Sequence, residues 1–319
     1  MKATILGAGN WGKNLVRVFC FLLGNENVTV CDPSAERRAA MLQEHPGVSV
    51  SAESRFDAGD TVVIASPAVH HAALAKRALL EDRHVLVEKP IALTSDEATE
   101  LIEIAETRGR ILMVDHLLEY HPAVVRLKEL VGRGELGTIY HLTSQRLNLG
   151  VIRTEENALW SLAPHDISIM LYLLEEEPDE VIARGEVYLQ AGIEDMAYVT
   201  LRFPSGRLGL IHTSWIDPVK TRKLTVVGDR RMAVFDDMAA DKLVVYEHRI
   251  EGADGRYRTT RGEAVPVSID ATEPLTSMAQ AFLTAIRTGE PPRSDGHDGL
   301  RVVRVLEEAQ RSMDRGRTR

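Results

Sequence analysis

The chain has 319 residues, which points to two domains of ordinary size rather than one. Hydrophobic residues make up 44% and charged residues 27%, as in a soluble globular protein with a full apolar core. The formal net charge of −9 argues against a nucleic-acid partner, which needs a basic face, but leaves room for a small anion in a local basic pocket.

The longest apolar runs, such as residues 16–23, are too short to span a bilayer, so no membrane partner is expected. Residues 1–7 enter a strand at once and leave no room for a signal peptide. The two cysteines, Cys20 and Cys31, read as structural thiols of a cytoplasmic protein, without metal-ligand spacing; no metal is expected.

In chain order, residues 3–6 form an apolar strand, a glycine-rich turn follows, and an apolar helix runs to about Leu23. Residues 28–32 are a second strand and 33–36 open a second helix. Strands follow at 61–66, 84–88 and 111–114, with helices at 71–80 and from Thr94 or Ser95 through Ala105. Continuous apolar strands separated by amphipathic helices predict a parallel sheet covered on both faces. After residue 120 the pattern changes. A helix over 124–130 ends at Gly132-Arg133-Gly134. Residues 197–203 then alternate, with Ala, Val, Leu and Phe on one face and Tyr, Thr and Arg on the other. Pro204-Ser205-Gly206 is a hairpin connection into 208–215. Strands at 221–227, 232–235 and 242–246 continue a mostly antiparallel sheet, and helices near 277–286 and 298–312 close the chain. The fold class is α/β. Residues 1–120 form a Rossmann domain and 121–319 an α/β domain for substrate binding and oligomerisation, with an open sheet face suited to a homodimer or homotetramer. The arginines at 311, 315, 317 and 319 read as a frayed terminus.

Gly7-Ala8-Gly9-Asn10-Trp11-Gly12 follows a strand and opens a helix, with Asp32 at a strand end twenty residues beyond the last glycine. That context, more than the glycines themselves, makes a dinucleotide site. Gly7 permits the tight turn, Gly9 the approach of a pyrophosphate, and Gly12 close packing of helix on strand. The anion then meets the unpaired N–H groups of the helix N-terminus. Asp32 would accept from the adenosine ribose hydroxyls and repel a 2′-phosphate, which favours NAD over NADP. Its competing role is to shape the turn ahead of Pro33. Arg37 and Arg38 are the features that would favour NADP, although helical surface charge accounts for them equally well.

At Glu88-Lys89-Pro90 the chain resembles the glucose-fructose oxidoreductase, inositol dehydrogenase and rhizopine catabolism (GFO/IDH/MocA) family, and the resemblance covers essentially its whole length. The resemblance includes Ala65-Ser66-Pro67 with His70, and Gly134 to Ile139 at the start of the second domain. It implies that Ser66, Pro67, His70, Glu88 and Lys89 lie at the cofactor, and that Lys89 also bonds the sugar hydroxyl being oxidised. A cation beside a developing alkoxide stabilises charge that exists only in the transition state. In many family members an aspartate precedes a histidine by four residues. Here the histidine is His165, but the aspartate position holds Ser161, which removes one candidate acid. His165 at a helix N-terminus would stay neutral against the helix dipole, as a general base requires. Asp166 would orient the ring or cap the helix. His116, Glu119, Tyr120 and His121 follow a strand end where open α/β sheets bind ligands, and with Arg146, Asn148 and Trp160 they are candidates to line a substrate cleft.

The resulting expectation is an NAD-dependent enzyme that clamps a sugar or polyol between its domains and moves hydride from a secondary carbinol. Residues 146–150 and 160–166 are most similar to the branch that oxidises nucleotide-linked amino sugars at the 3-hydroxyl. A free-sugar or inositol dehydrogenase comes next. A glycosidase that uses NAD transiently and a dinucleotide-sensing regulator without turnover remain as alternatives from other classes.

Overall fold

The computed structural model describes residues 1–56 and 59–317, so Arg319 of the arginine-rich end lies outside the described residues. The first stretch alternates strand and helix: β1 (Ala3–Leu6), α1 (Gly12–Leu23), β2 (Val28–Cys31), α2 (Ala35–Glu44), β3 (Ser49–Ser51), β4 (Thr61–Ile64), α3 (His71–Leu80), β5 (His84–Val87), α4 (Ser95–Thr107) and β6 (Leu112–Val114). The strands lie in the order β3-β2-β1-β4-β5-β6, and every neighbouring pair is parallel. Strands β1 and β4 are buried at every residue, which is why they read as unbroken apolar runs. Two helix starts are set by hydroxyl caps. Ser34 accepts from the Arg37 N–H, and Thr94, not Ser95, accepts from the Glu97 N–H.

The second stretch opens with α5 (Pro122–Gly132), begun by proline at the first helical position and by His121, whose Nδ1 accepts from the Ala123 N–H. It continues through β7 (Ile139–Leu149), α6 (Ala158–Leu162), α7 (Pro164–Leu174), β8 (Glu180–Glu186), β9 (Met196–Arg202), β10 (Leu208–Ser214), β11 (Ile216–Gly228), β12 (Met232–Asp236) and β13 (Leu243–Tyr246). A hairpin of β14 (Arg249–Ala253) and β15 (Arg256–Thr260) follows, then β16 (Ala264–Pro266). Eight strands form one sheet in the order β16-β13-β12-β11-β7-β10-β9-β8, antiparallel except where β7 meets β10. On β9, Ala197, Val199 and Leu201 are buried while Tyr198 stands exposed, as the period-2 pattern requires.

The chain ends in α8 (Pro274–Thr288) and α9 (Gly296–Arg317). It divides into two compact units, and both are discontinuous. The first holds Met1–Tyr120 and Thr272–Arg304; the second holds His121–Ala271 and Val305–Arg319. Helix α8 and the start of α9, which sequence assigns to the second domain, therefore belong with the first unit. The reason is packing: Leu275, Met278, Phe282 and Leu283 of α8 join the same buried cluster as Ile5, Phe19, Val63, Leu86 and Met113. Cys20 and Cys31 are both buried. Among the described residues, no helix is long and apolar enough to cross a membrane.

Candidate active site

The β1–α1 turn is shaped for close approach. Gly7 has φ 103°, and a Cβ there would stand 2.7 Å from the Ala65 carbonyl oxygen. Glycine is the residue that tolerates both conditions. A Cβ on Gly12 would collide with the Gly7 carbonyl, whereas at Gly9 the nearest atom is an Arg37 nitrogen at 3.9 Å, so that side is open. Gly9 therefore provides the gap, and the start of α1 provides N–H groups facing it, a fit for a pyrophosphate. Asn10 is exposed and Ala8 buried.

Asp32, 2% exposed, sits just beyond β2. Its carboxylate accepts from the Ala8 N–H and the Ser34 N–H, both at 2.8 Å, with an Arg37 guanidinium nitrogen at 3.5 Å. It thus does the turn-shaping work and also braces the glycine loop, while Arg38 bonds the carbonyls of Asp32 and Pro33. Replacing Asp32 by alanine is expected to weaken NAD binding by roughly tenfold or more and NADP binding by less. A charged hydrogen bond contributes about 1.5–3 kcal/mol, and the 2′-phosphate loses a repulsion at the same time. Dissociation constants of both dinucleotides for the native and Asp32→Ala proteins check this; equal losses would assign Asp32 to the loop alone.

The loops after β4, β5 and β6 carry the second group. His71, which sequence analysis left without a role, is 1% exposed, with Nδ1 2.7 Å from the Pro90 carbonyl and Nε2 2.8 Å from the Ser66 carbonyl. It ties the Ser66-Pro67 loop to the loop of Lys89 and Pro90, whose peptide bond is cis. Its neighbour His70 is exposed. Glu88 follows β5 and Asp115 follows β6. Burial first, then the Asp115 carboxyl beside it, holds the Glu88 carboxyl well above its usual range, with Lys89 pulling the other way. Trp11 of the glycine motif donates from Nε1 to Asp115 Oδ2 at 2.9 Å.

His116 and Tyr120 do not line an open cleft; they lie inside the first unit at 1% and 8% exposure. The Tyr120 hydroxyl pairs with Ser294. His116 Nδ1 donates to Asp298 Oδ2 at 2.6 Å and lies 3.5 Å from Glu119 Oε1, while Arg301 holds the other Asp298 oxygen at 2.5 Å. Burial lowers the His116 imidazole, but the Asp298 hydrogen bond, with the Asp298 and Glu119 charges, outweighs it and lifts it to about 10. Burial pushes Glu119 up to about 7. A histidine raised in the folded state contributes stability that is present below its unfolded value of about 6.5 and is lost as pH rises toward 10. Native protein should therefore lose stability across that alkaline window, and His116→Asn should flatten the loss. Urea midpoints at several pH values decide; parallel curves would place the linkage elsewhere.

In the second unit His165 is the second residue of α7, at the helix's positive end. Asp166 neither caps α7 nor is left over for the ring. Buried at 3% exposure, it takes Arg146 Nε at 2.7 Å, Arg146 Nη2 at 3.2 Å and the Ser144 hydroxyl at 2.5 Å. The reason is register: Ser144 and Arg146 share one face of β7, and that face lies against α7. Next to this pair is a cleft lined by Arg146, Asn148, Leu162, His165, Lys220 and Arg222. Arg222 pairs with Asp237, and β11 departs from regular register with β7 between Ile216 and Thr221, just where Lys220 lies. Sequence analysis missed Lys220 and Arg222, because neither lies in a motif and only the β7–β11 pairing brings them to His165. Trp160 is half-buried on α6, its N–H capped by Asn157.

A model of an oxidoreductase family with an NAD-binding Rossmann fold matches residues 1–116, and a model of the GFO/IDH/MocA C-terminal domain matches residues 124–234. The UDP-N-acetylglucosamine 3-dehydrogenase of Acidithiobacillus ferrooxidans is 28% identical over 305 residues, 95% of this chain and 94% of its own. The inositol 2-dehydrogenase of Rubrobacter xylanophilus is 26% identical over 321 residues, 91% and 92% of the two chains. A solved structure of the Acidithiobacillus enzyme matches with a TM-score of 0.85 at 25% identity, covering 99% of this chain and 98% of that one.

Proposed function

The chain belongs to the GFO/IDH/MocA oxidoreductase family and binds NAD, and from that we propose that it oxidises the 3-hydroxyl of a nucleotide-linked amino sugar. The observation that carries the substrate class is the cleft on β7, α7 and β11, where Lys220 and Arg222 stand with Arg146 around His165. Arg146 is neutralised by Asp166 and Arg222 faces Asp237, so Lys220 is the cation best placed to meet a diphosphate. The similarity to a UDP-N-acetylglucosamine 3-dehydrogenase supports the same choice.

Bound NAD supplies the hydride acceptor. Gly7, Gly9 and the N-terminus of α1 hold its pyrophosphate, and Asp32 holds the adenosine ribose. Lys89 stabilises the carbinol oxygen as negative charge develops on it, and His165 removes the hydroxyl proton. The open face of the eight-stranded sheet, with Tyr140, Ile182 and Tyr198 each about half exposed, supports assembly into a homo-oligomer.

A panel of nucleotide sugars, free sugars and inositols, followed by NADH formation, tests the assignment. Reduction driven by a UDP-N-acetylhexosamine is expected, with free sugars and inositols at least tenfold poorer. Turnover of an inositol in preference to every nucleotide sugar would overturn it.

A further inference from the structure

We propose that Glu88 and Asp115 hold one proton between them, and that this proton leaves when oxidised dinucleotide binds but stays when the reduced form binds. The proposal rests on the cofactor reading above. Asp32 follows β2 and the pyrophosphate site lies at β1 and α1, so the nicotinamide half of the groove falls across the sheet, toward β4, β5 and β6. Glu88 and Asp115 are the first residues past the carboxyl ends of β5 and β6. The two strands pair in register with Val87 opposite Val114, and the Asp115 N–H donates to the Val87 carbonyl at 2.8 Å. The two side chains therefore leave neighbouring strands at the same level.

Hydrogen-bond arithmetic then leaves an acceptor in need of a donor. Asp115 is 1% exposed. Its Oδ2 is satisfied by Trp11 Nε1, but its Oδ1 is buried and has no donor among the described residues. The Glu88 carboxyl is within hydrogen-bonding reach of Asp115. Two ionised carboxylates in that contact would offer only acceptors, whereas a protonated Glu88 donates to Asp115 and satisfies both. The other charge facing Glu88 is Lys89, which follows it in sequence and opposes protonation. From α1's side the neighbour is the neutral Trp11 indole. His116, Glu119 and Asp298 form the next titratable cluster, where His116 bonds Asp298 at 2.6 Å and lies 3.5 Å from Glu119.

A nicotinamide ring carries a positive charge when oxidised and none when reduced. The oxidised ring favours the doubly ionised pair and expels the proton, whereas the reduced ring leaves it in place. The pair thus matches its charge to the redox state of the cofactor. By linkage, NAD affinity should rise with pH through the pair's titration by as much as tenfold per pH unit, the limit for one proton, while NADH affinity stays nearly flat.

The test is calorimetric titration of the full chain with NAD and with NADH near neutral pH, in two buffers of different ionisation enthalpy. Proton release is expected with NAD and little with NADH, and the difference should vanish in Glu88→Gln and in Asp115→Asn while both still bind dinucleotide. Equal proton counts for NAD and NADH in the native protein would overturn the proposal, and that comparison stands even if either variant fails to fold. A difference that persists in both variants would also overturn it. Failure to bind either dinucleotide would overturn the cofactor reading itself and the proposal with it; binding without differential proton exchange removes only the proposal.

Discussion

Replacing Lys89 by methionine lowers turnover by about 10²–10³-fold and leaves NAD affinity nearly unchanged. The size follows from removing one preorganised charge from an oxygen whose negative charge exists only in the transition state. The selectivity follows from geometry. The proposed pyrophosphate cradle is Gly7, Gly9 and the start of α1, braced by Asp32, which bonds Ala8 and Ser34. The loop of Lys89 is anchored separately, through the His71 contacts with Ser66 and Pro90. Methionine keeps the length and apolar stem of lysine, so the loop has no packing reason to move. Steady-state kinetics with NAD binding measured alongside checks the prediction. A variant that binds NAD normally and turns over at the native rate would remove Lys89 from the chemistry.

His165→Asn should fall by a comparable or larger factor, about 10²–10⁴, since that is the contribution of a positioned general base. It should also abolish the acid limb of the rate profile, because an imidazole must be neutral to accept a proton. His165 stands in the first turn of α7. Asparagine is short and polar and suits a helix N-terminus, so α7 is preserved. If the variant kept both its rate and its acid limb, the base would lie elsewhere. Asp166 is an unpromising substitute, because Arg146 and Ser144 hold its carboxylate.

How much of this was readable beforehand depended on whether the signal was local. The parallel sheet was legible because β1, β4 and β5 are apolar runs bounded by turns, and the antiparallel one because β9 alternates strictly. The β14–β15 hairpin was not found, because all of its residues are exposed and no apolar alternation marks it. Its one signal was Asp254-Gly255, whose positive φ values of 52° and 76° suit a two-residue hairpin turn.

The return of α8 to the first unit left no local trace, since an amphipathic helix does not say which core it will enter. The same holds at the site. Gly7, Gly9, Gly12, Asp32 and Lys89 announce themselves by spacing within short segments. Lys220 and Arg222 reach His165 only through sheet register, and Asp298 reaches His116 only across 182 residues of chain. Residues such as His116 look like ligand contacts in sequence because they follow a strand end. Their burial and internal pairing become visible only in three dimensions.

The central claim is hydride transfer from a sugar carbinol to NAD, and a labelled substrate reads it directly. UDP-N-acetylglucosamine carrying deuterium at C3 would be incubated with enzyme and NAD, and the cofactor and sugar then recovered for mass spectrometry and NMR. The account predicts one deuterium on C4 of the dihydronicotinamide ring and a 3-oxo sugar still linked to its nucleotide. Unlabelled cofactor alongside a sugar that is unchanged, or merely hydrolysed from its nucleotide, would contradict it.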